Sequence, residues 1–69
     1  MKTKIIFYNI NEPGKECTSR CMSSIPRIGE SINISINPDD ELWGIITNVV
    51  WRESSGGMYA EVFVNQGNV

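Results

Sequence analysis

Hydrophobic and polar positions alternate with a period of two over much of this chain. The alternation is cleanest where Ile32, Ile34 and Ile36 are separated by Ser31, Asn33, Ser35 and Asn37. Successive side chains of a strand point to opposite faces, so this stretch predicts a half-buried strand with isoleucine inside and small polar groups outside. Asn37-Pro38-Asp39-Asp40 follows as a type I turn, because proline presets φ at the second position and asparagine caps the first. Residues 3–10, rich in β-branched and aromatic types, predict a strand that ends in the turn chemistry of Asn11-Glu12-Pro13-Gly14. From Met58 to Asn65, Ala60, Val62 and Val64 alternate with Tyr59, Glu61 and Phe63, which predicts a last strand with the small aliphatics facing the core. Glu53 to Gly57 is the flexible hairpin loop before it.

Two segments depart from simple alternation. In residues 42–52, Ile46, Val49 and Trp51 share a face only if an extra residue sits between Ile46 and Val49, so a β-bulge or sharp bend is expected near Thr47-Asn48. Such a bend is how a small sheet curls into a barrel. Residues 15–22 admit two readings. Thr18, Arg20 and Met22 alternate with Cys17, Ser19 and Cys21, as in a strand hairpinned onto the first; Cys17, Cys21 and Met22 also lie at helical spacing. The helix has no cap, and Thr18-Ser19 makes a poor helix interior. Five short strands with no helix to cover a greasy face must close on themselves. The expected fold is therefore all-β, a small five-stranded SH3-like or OB-like barrel over residues 1–66, with 67–69 as a frayed tail.

Length sharpens this picture. A chain of 69 residues has one thin core, and domains of that size usually gain support from a disulfide, a metal or self-association. With no histidine and only two cysteines, the ligands of a structural zinc site cannot be assembled. If Cys17 and Cys21 lie on an extended segment, their Cα atoms are about 13 Å apart, well beyond the reach of a disulfide. Homo-oligomerisation is the remaining support. Met1-Lys2-Thr3-Lys4 leads into only a short apolar run, which does not read as a signal peptide, so free thiols and a cytoplasmic location are expected. Lys15 and Arg20 are near enough in sequence to activate a thiol, but no histidine partners it. No apolar run is long enough to cross a membrane as a helix. Six basic and eight acidic side chains give a net charge of −2, and the dispersed basic groups argue against an electrostatic grip on nucleic acid.

Between the second and third strands lies Ile25-Pro26-Arg27-Ile28-Gly29-Glu30. Pro26 is expected to hold the chain extended, Ile25 and Ile28 to plug the barrel end, and Gly29 to allow the turn into the next strand. This segment, with the later Gly44-Ile45-Ile46-Thr47-Asn48-Val49-Val50-Trp51, resembles a recurring pattern in small SH3-like β-barrel accessory proteins of phages and mobile elements. In those chains a Pro-Arg-hydrophobic-Gly-acidic turn precedes a short strand, a bent strand ending in Trp, and a final hairpin strand. The resemblance covers residues 25–65. It implies an accessory factor working in a host cytoplasm, with inhibition of host defence among the roles of such proteins.

No constellation in the sequence supports catalysis. Nucleophile, base and orienting group must converge, and without histidine the base would have to be a carboxylate or lysine. Asp39, Asp40 and Glu41 read as a solvated turn, and Gly56-Gly57 lacks the rest of a phosphate loop. No cofactor is expected. Binding has better candidates: Arg27, Trp43, Trp51, Arg52, Tyr59 and Phe63. So small a barrel cannot easily bury two Trp, two Tyr and two Phe, and exposed aromatics concentrate at interfaces. The plainer reading is that these rings cover a small core and that Arg27 is a solvated turn residue. Three functions follow in order of preference: an inhibitor or adaptor of a host protein; an oligomeric sponge that holds an anionic nucleotide-like molecule with Arg27, Arg52, Trp43 or Trp51; and a nucleic-acid-binding barrel.

Overall fold

The alternating segments form five strands: β1 (Thr3–Asn9), β2 (Glu16–Met22), β3 (Ser31–Asn37), β4 (Asp40–Ser54) and β5 (Gly57–Gln66). They come from a computed structural model that describes residues 2–12, 14 and 16–66. Among the described residues there is no helix, so the stretch open to two readings is a strand, antiparallel to β1. Pro13, Lys15 and the tail 67–69 lie outside the described residues. Gln66, the last described residue, belongs to β5, where it pairs with Gly44 and its amide oxygen accepts a hydrogen bond from Asn9 Nδ2.

The sheet order is β2-β1-β5-β4-β3. Neighbours are antiparallel except for β1 and β5, the first and last strands, which run parallel with Ile5 opposite Ala60 and Phe7 opposite Val62. The five strands curl into a nearly closed barrel, the small SH3-like or OB-like architecture expected. Residues opposite one another share a face, so the register sets the interior: Ile5, Phe7, Leu42, Ile46, Ala60, Val62 and Val64 are all buried. Ile32, Ile34, Ile36 and Val49 pack against them from β3 and the far half of β4.

Two features let a 15-residue strand serve two sides of this barrel. At Gly44 the backbone passes so close to β5 that an added Cβ would meet the Asn65 carbonyl oxygen at 2.1 Å, and φ is 154°. Glycine is required there for the close approach. Three residues on, the register jumps between Ile46 and Asn48, leaving Thr47 as the extra residue of a bulge. Ile46 then faces Val64, Val49 faces Val62 and Trp51 faces Ala60, which is the shared face that the sequence requires.

The edge strands β2 and β3 meet across a seam without forming a ladder. One side chain bridges it. The Arg20 guanidinium donates to the Ser19 carbonyl and Thr18 hydroxyl on β2 and to the Ser35 carbonyl on β3. At the other end of these strands, Gly29 N–H donates to the Ile46 carbonyl and Ile46 N–H to the Glu30 carbonyl, which fastens the 25–30 turn to β4. This geometry corrects one expectation. Ile25 packs on the core, but Ile28 sits at the apex of a turn closed by Glu30 N–H on the Arg27 carbonyl, and is 63% exposed. Gly29, with φ of 93°, turns the chain as expected.

Candidate functional site

The barrel separates the six candidate binding residues into three places. Arg52, Tyr59 and Phe63 share the outer face of β4 and β5, Arg27 and Trp51 meet at one barrel end, and Trp43 stands apart on the outer face of β4, opposite Asn33 of β3.

On the outer face the aromatic and charged groups are largely used by one another. Tyr8 opposes Phe63 in the parallel ladder, and their rings stack with centroids 5.1 Å apart and planes 14° from parallel. Tyr8 also donates its hydroxyl to Glu61 Oε2 at 3.0 Å, and Arg52 Nε donates to Glu61 Oε1 at 2.8 Å. These partners cover Glu61, leaving its side chain 12% exposed. The Arg52 hydrogen bond is the main influence holding the Glu61 carboxyl below its ordinary pKa; partial burial opposes it and the Tyr8 hydrogen bond assists. The same contact raises Arg52. Chemically this is a fastening across β1, β5 and β4, with Tyr59 and Phe63 half-buried beside it.

At the barrel end the groups are free of such ties. Ile25, Pro26, Arg27, Ile28, Val49 and Trp51 line an open groove of about 490 Å³. The Arg27 main chain is held by its turn, its N–H donating to Glu30 Oε1 at 2.7 Å. Its side chain is exposed. Trp51 occupies a core-facing register position opposite Ala60, yet it lies beyond the filled interior and is 49% exposed. Trp43 is 38% exposed, with Ile45 on the same face at 36%.

Sequence reasoning missed three residues with a part in these arrangements. Tyr8 and Glu61 gave no local signal, since both look like ordinary outward strand positions. Arg20 did carry one, because it alternates with Thr18 and Met22 on the face that β2 turns inward. Cys17 and Cys21 are free thiols on β2, the second exposed. Among the described residues no group of three or more Cys, Asp or Glu side chains is placed to hold a metal ion, and no helix is long and apolar enough to cross a membrane. No family model matches the chain, and no curated protein or solved structure matches it.

Proposed function

We propose that this chain is a non-catalytic binding protein, an inhibitor or adaptor that meets a partner protein through the patch of Pro26, Arg27, Ile28 and Trp51. The observation that carries this reading is a tryptophan in core-facing register left half exposed beside an isoleucine that is 63% exposed. The few residues that dominate the energy of protein interfaces are enriched in tryptophan and arginine, the first through area at low entropy cost and the second through directed hydrogen bonds. The outer-face cluster is the weaker candidate because its charges and rings already have partners. The resemblance of residues 25–65 to accessory proteins of phages and mobile elements favours a host protein as the partner.

A photo-crosslinking residue placed at Ile28 is expected to capture one defined host protein at stoichiometric yield, and the same residue at Asp39, in the turn at the far end of β3, is not. Equal capture from both positions, or none from Ile28, would count against the patch. Cross-links between two copies would assign it to self-association instead. The nucleotide sponge keeps one supporting observation, that Arg27 and Trp51 line the same groove. Release of a nucleotide on heating the purified protein is its test.

A further inference from the structure

We propose that the seam between β2 and β3 is a docking groove for one extended, acidic segment of a partner polypeptide, which enters as a sixth strand and closes the barrel. Main-chain polarity is the first observation. The Ser35 carbonyl accepts from Arg20 across the seam, so it points away from β4. Main-chain direction alternates along an antiparallel strand, hence Asn33 and Ser31 also turn their N–H and C=O groups to the seam, while Ile32 and Ile34 pair with β4. On β2, the Ser19 carbonyl faces the seam for the same reason, and Cys21 follows it. Two strand edges thus face one another with no ladder between them, their Ser19 and Ser35 carbonyls held by Arg20, which an incoming segment displaces.

Width is the second observation. A fully extended arginine with one hydrogen bond spans roughly 9–10 Å, about two strand spacings; because the Arg20 guanidinium also turns back to Thr18 and Ser19, the seam at Arg20 is no wider than that. That leaves room for at most one added strand. From Arg20 the seam continues as two adjoining grooves that share Met22 and Ile32 and end at Arg27. Met22, Ile32 and Ile34 are only half-buried there, an apolar floor for alternate side chains of an incoming segment.

Charge selects the segment. The charged residues lining the two grooves are Arg20, Arg27 and Glu30, two positive and one negative. Lys4 lies opposite Cys21 on the neighbouring strand. Glu41 lies opposite Ser35 in the same way, so on a protein of net charge −2 the seam carries a small excess of positive charge. An extended segment alternating apolar and acidic residues satisfies both the floor and the arginines, and β-strand addition supplies main-chain hydrogen bonds for affinity. This inference does not rest on Trp51 or Ile28, which line neither groove, although Pro26 and Arg27 belong to both surfaces.

The test uses the fluorescein-labelled peptide Glu-Val-Glu-Val-Glu-Val, its lysine counterpart Lys-Val-Lys-Val-Lys-Val, and the acidic peptide N-methylated at alternate residues. Anisotropy titrations against the whole chain are expected to show saturable binding of the acidic peptide, none of the lysine peptide, and about tenfold or greater loss on N-methylation, which removes the ladder donors. Asn33→Pro deletes a seam-facing N–H that β4 does not use, a change edge strands tolerate. It is expected to keep a native-like amide spectrum and to weaken binding by about tenfold or more. Undiminished binding of the N-methylated peptide, or by a folded N33P variant, overturns the proposal. So does absence of acidic-peptide binding up to about 1 mM. Self-association of the free chain that N33P abolishes would give the seam to a second copy, and would also overturn it. Loss of capture at Ile28 with peptide binding intact separates failure of the patch from failure of the seam.

Discussion

Glu61 stands on the outer side of β5, between the buried Ala60 and Val62, yet its side chain is nearly covered. Nothing local in the sequence marks it. Its neighbours Tyr8 and Arg52 come from 53 and 9 positions away, and only the ladders of β5 with β1 and β4 bring them together. The Arg52 contact holds the Glu61 pKa below its unfolded value. A depressed carboxyl pKa contributes stability that is present above the unfolded value and is lost as pH falls through the folded one. Glu61→Gln is therefore expected to be less stable than the parent at neutral pH, with the difference shrinking once the pH drops below the ordinary glutamate value of about 4.3. Urea midpoints measured from pH 7 to pH 3 check this, and a gap that stays constant across the range would refute it. Because Arg52 is 58% exposed, added salt should narrow the gap as well.

At the scale of the element, β4 shows how much a pattern can specify. The spacing of Ile46, Val49 and Trp51 demands one extra residue, and the register places it at Thr47. A one-residue slip moves a strand's whole apolar set to the opposite face. Deleting Thr47 leaves Ile46 and Val49 two positions apart, on one face by plain alternation, and is therefore expected to keep the β5 register while removing the local bend; Thr47→Ala, which loses one exposed hydrogen bond to the Phe63 carbonyl, should cost no more than about 0.5 kcal/mol. Thermal unfolding of both variants checks this; a deletion variant that does not unfold cooperatively would show that the bend itself, and not only the shared face, is needed to close the barrel. β2 is less legible, because its residues fit both periodicities and only the missing cap and the Thr18-Ser19 pair favour a strand until pairing with β1 satisfies the backbone. Ile28 was misplaced for a related reason. Apolarity suggests burial, but the two hydrogen bonds that fasten the turn to Ile46 leave its apex pointing to solvent.

For the whole molecule, the pairing of β1 with β5 closes a loop between residues as distant as Ile5 and Ala60, and the core is only as wide as the seven residues buried within it. A chain of 69 residues has roughly 3–10 kcal/mol of stability in all. Phe7→Ala, at a fully buried position, is expected to remove about 3–5 kcal/mol, from about a third of that total to all of it. Its neighbour Ile6, on the outer face and only half-buried, should lose less on the same truncation. Circular dichroism with urea titration reads the difference, and equal losses would contradict the inside and outside assigned by the register. The alternation of residue types along the chain by itself determined that this protein is built of strands, which faces of β3 and β5 turn inward, and where β4 must bulge, because side-chain direction in a strand depends on parity alone. The tertiary structure decided the parallel pairing of the first and last strands, the burial of Glu61, the exposure of Ile28 and Trp51, and the seam spanned by Arg20. Each of these depends on which edges meet in space, and hydrogen bonding between main chains carries no trace of its partner in either strand's own sequence.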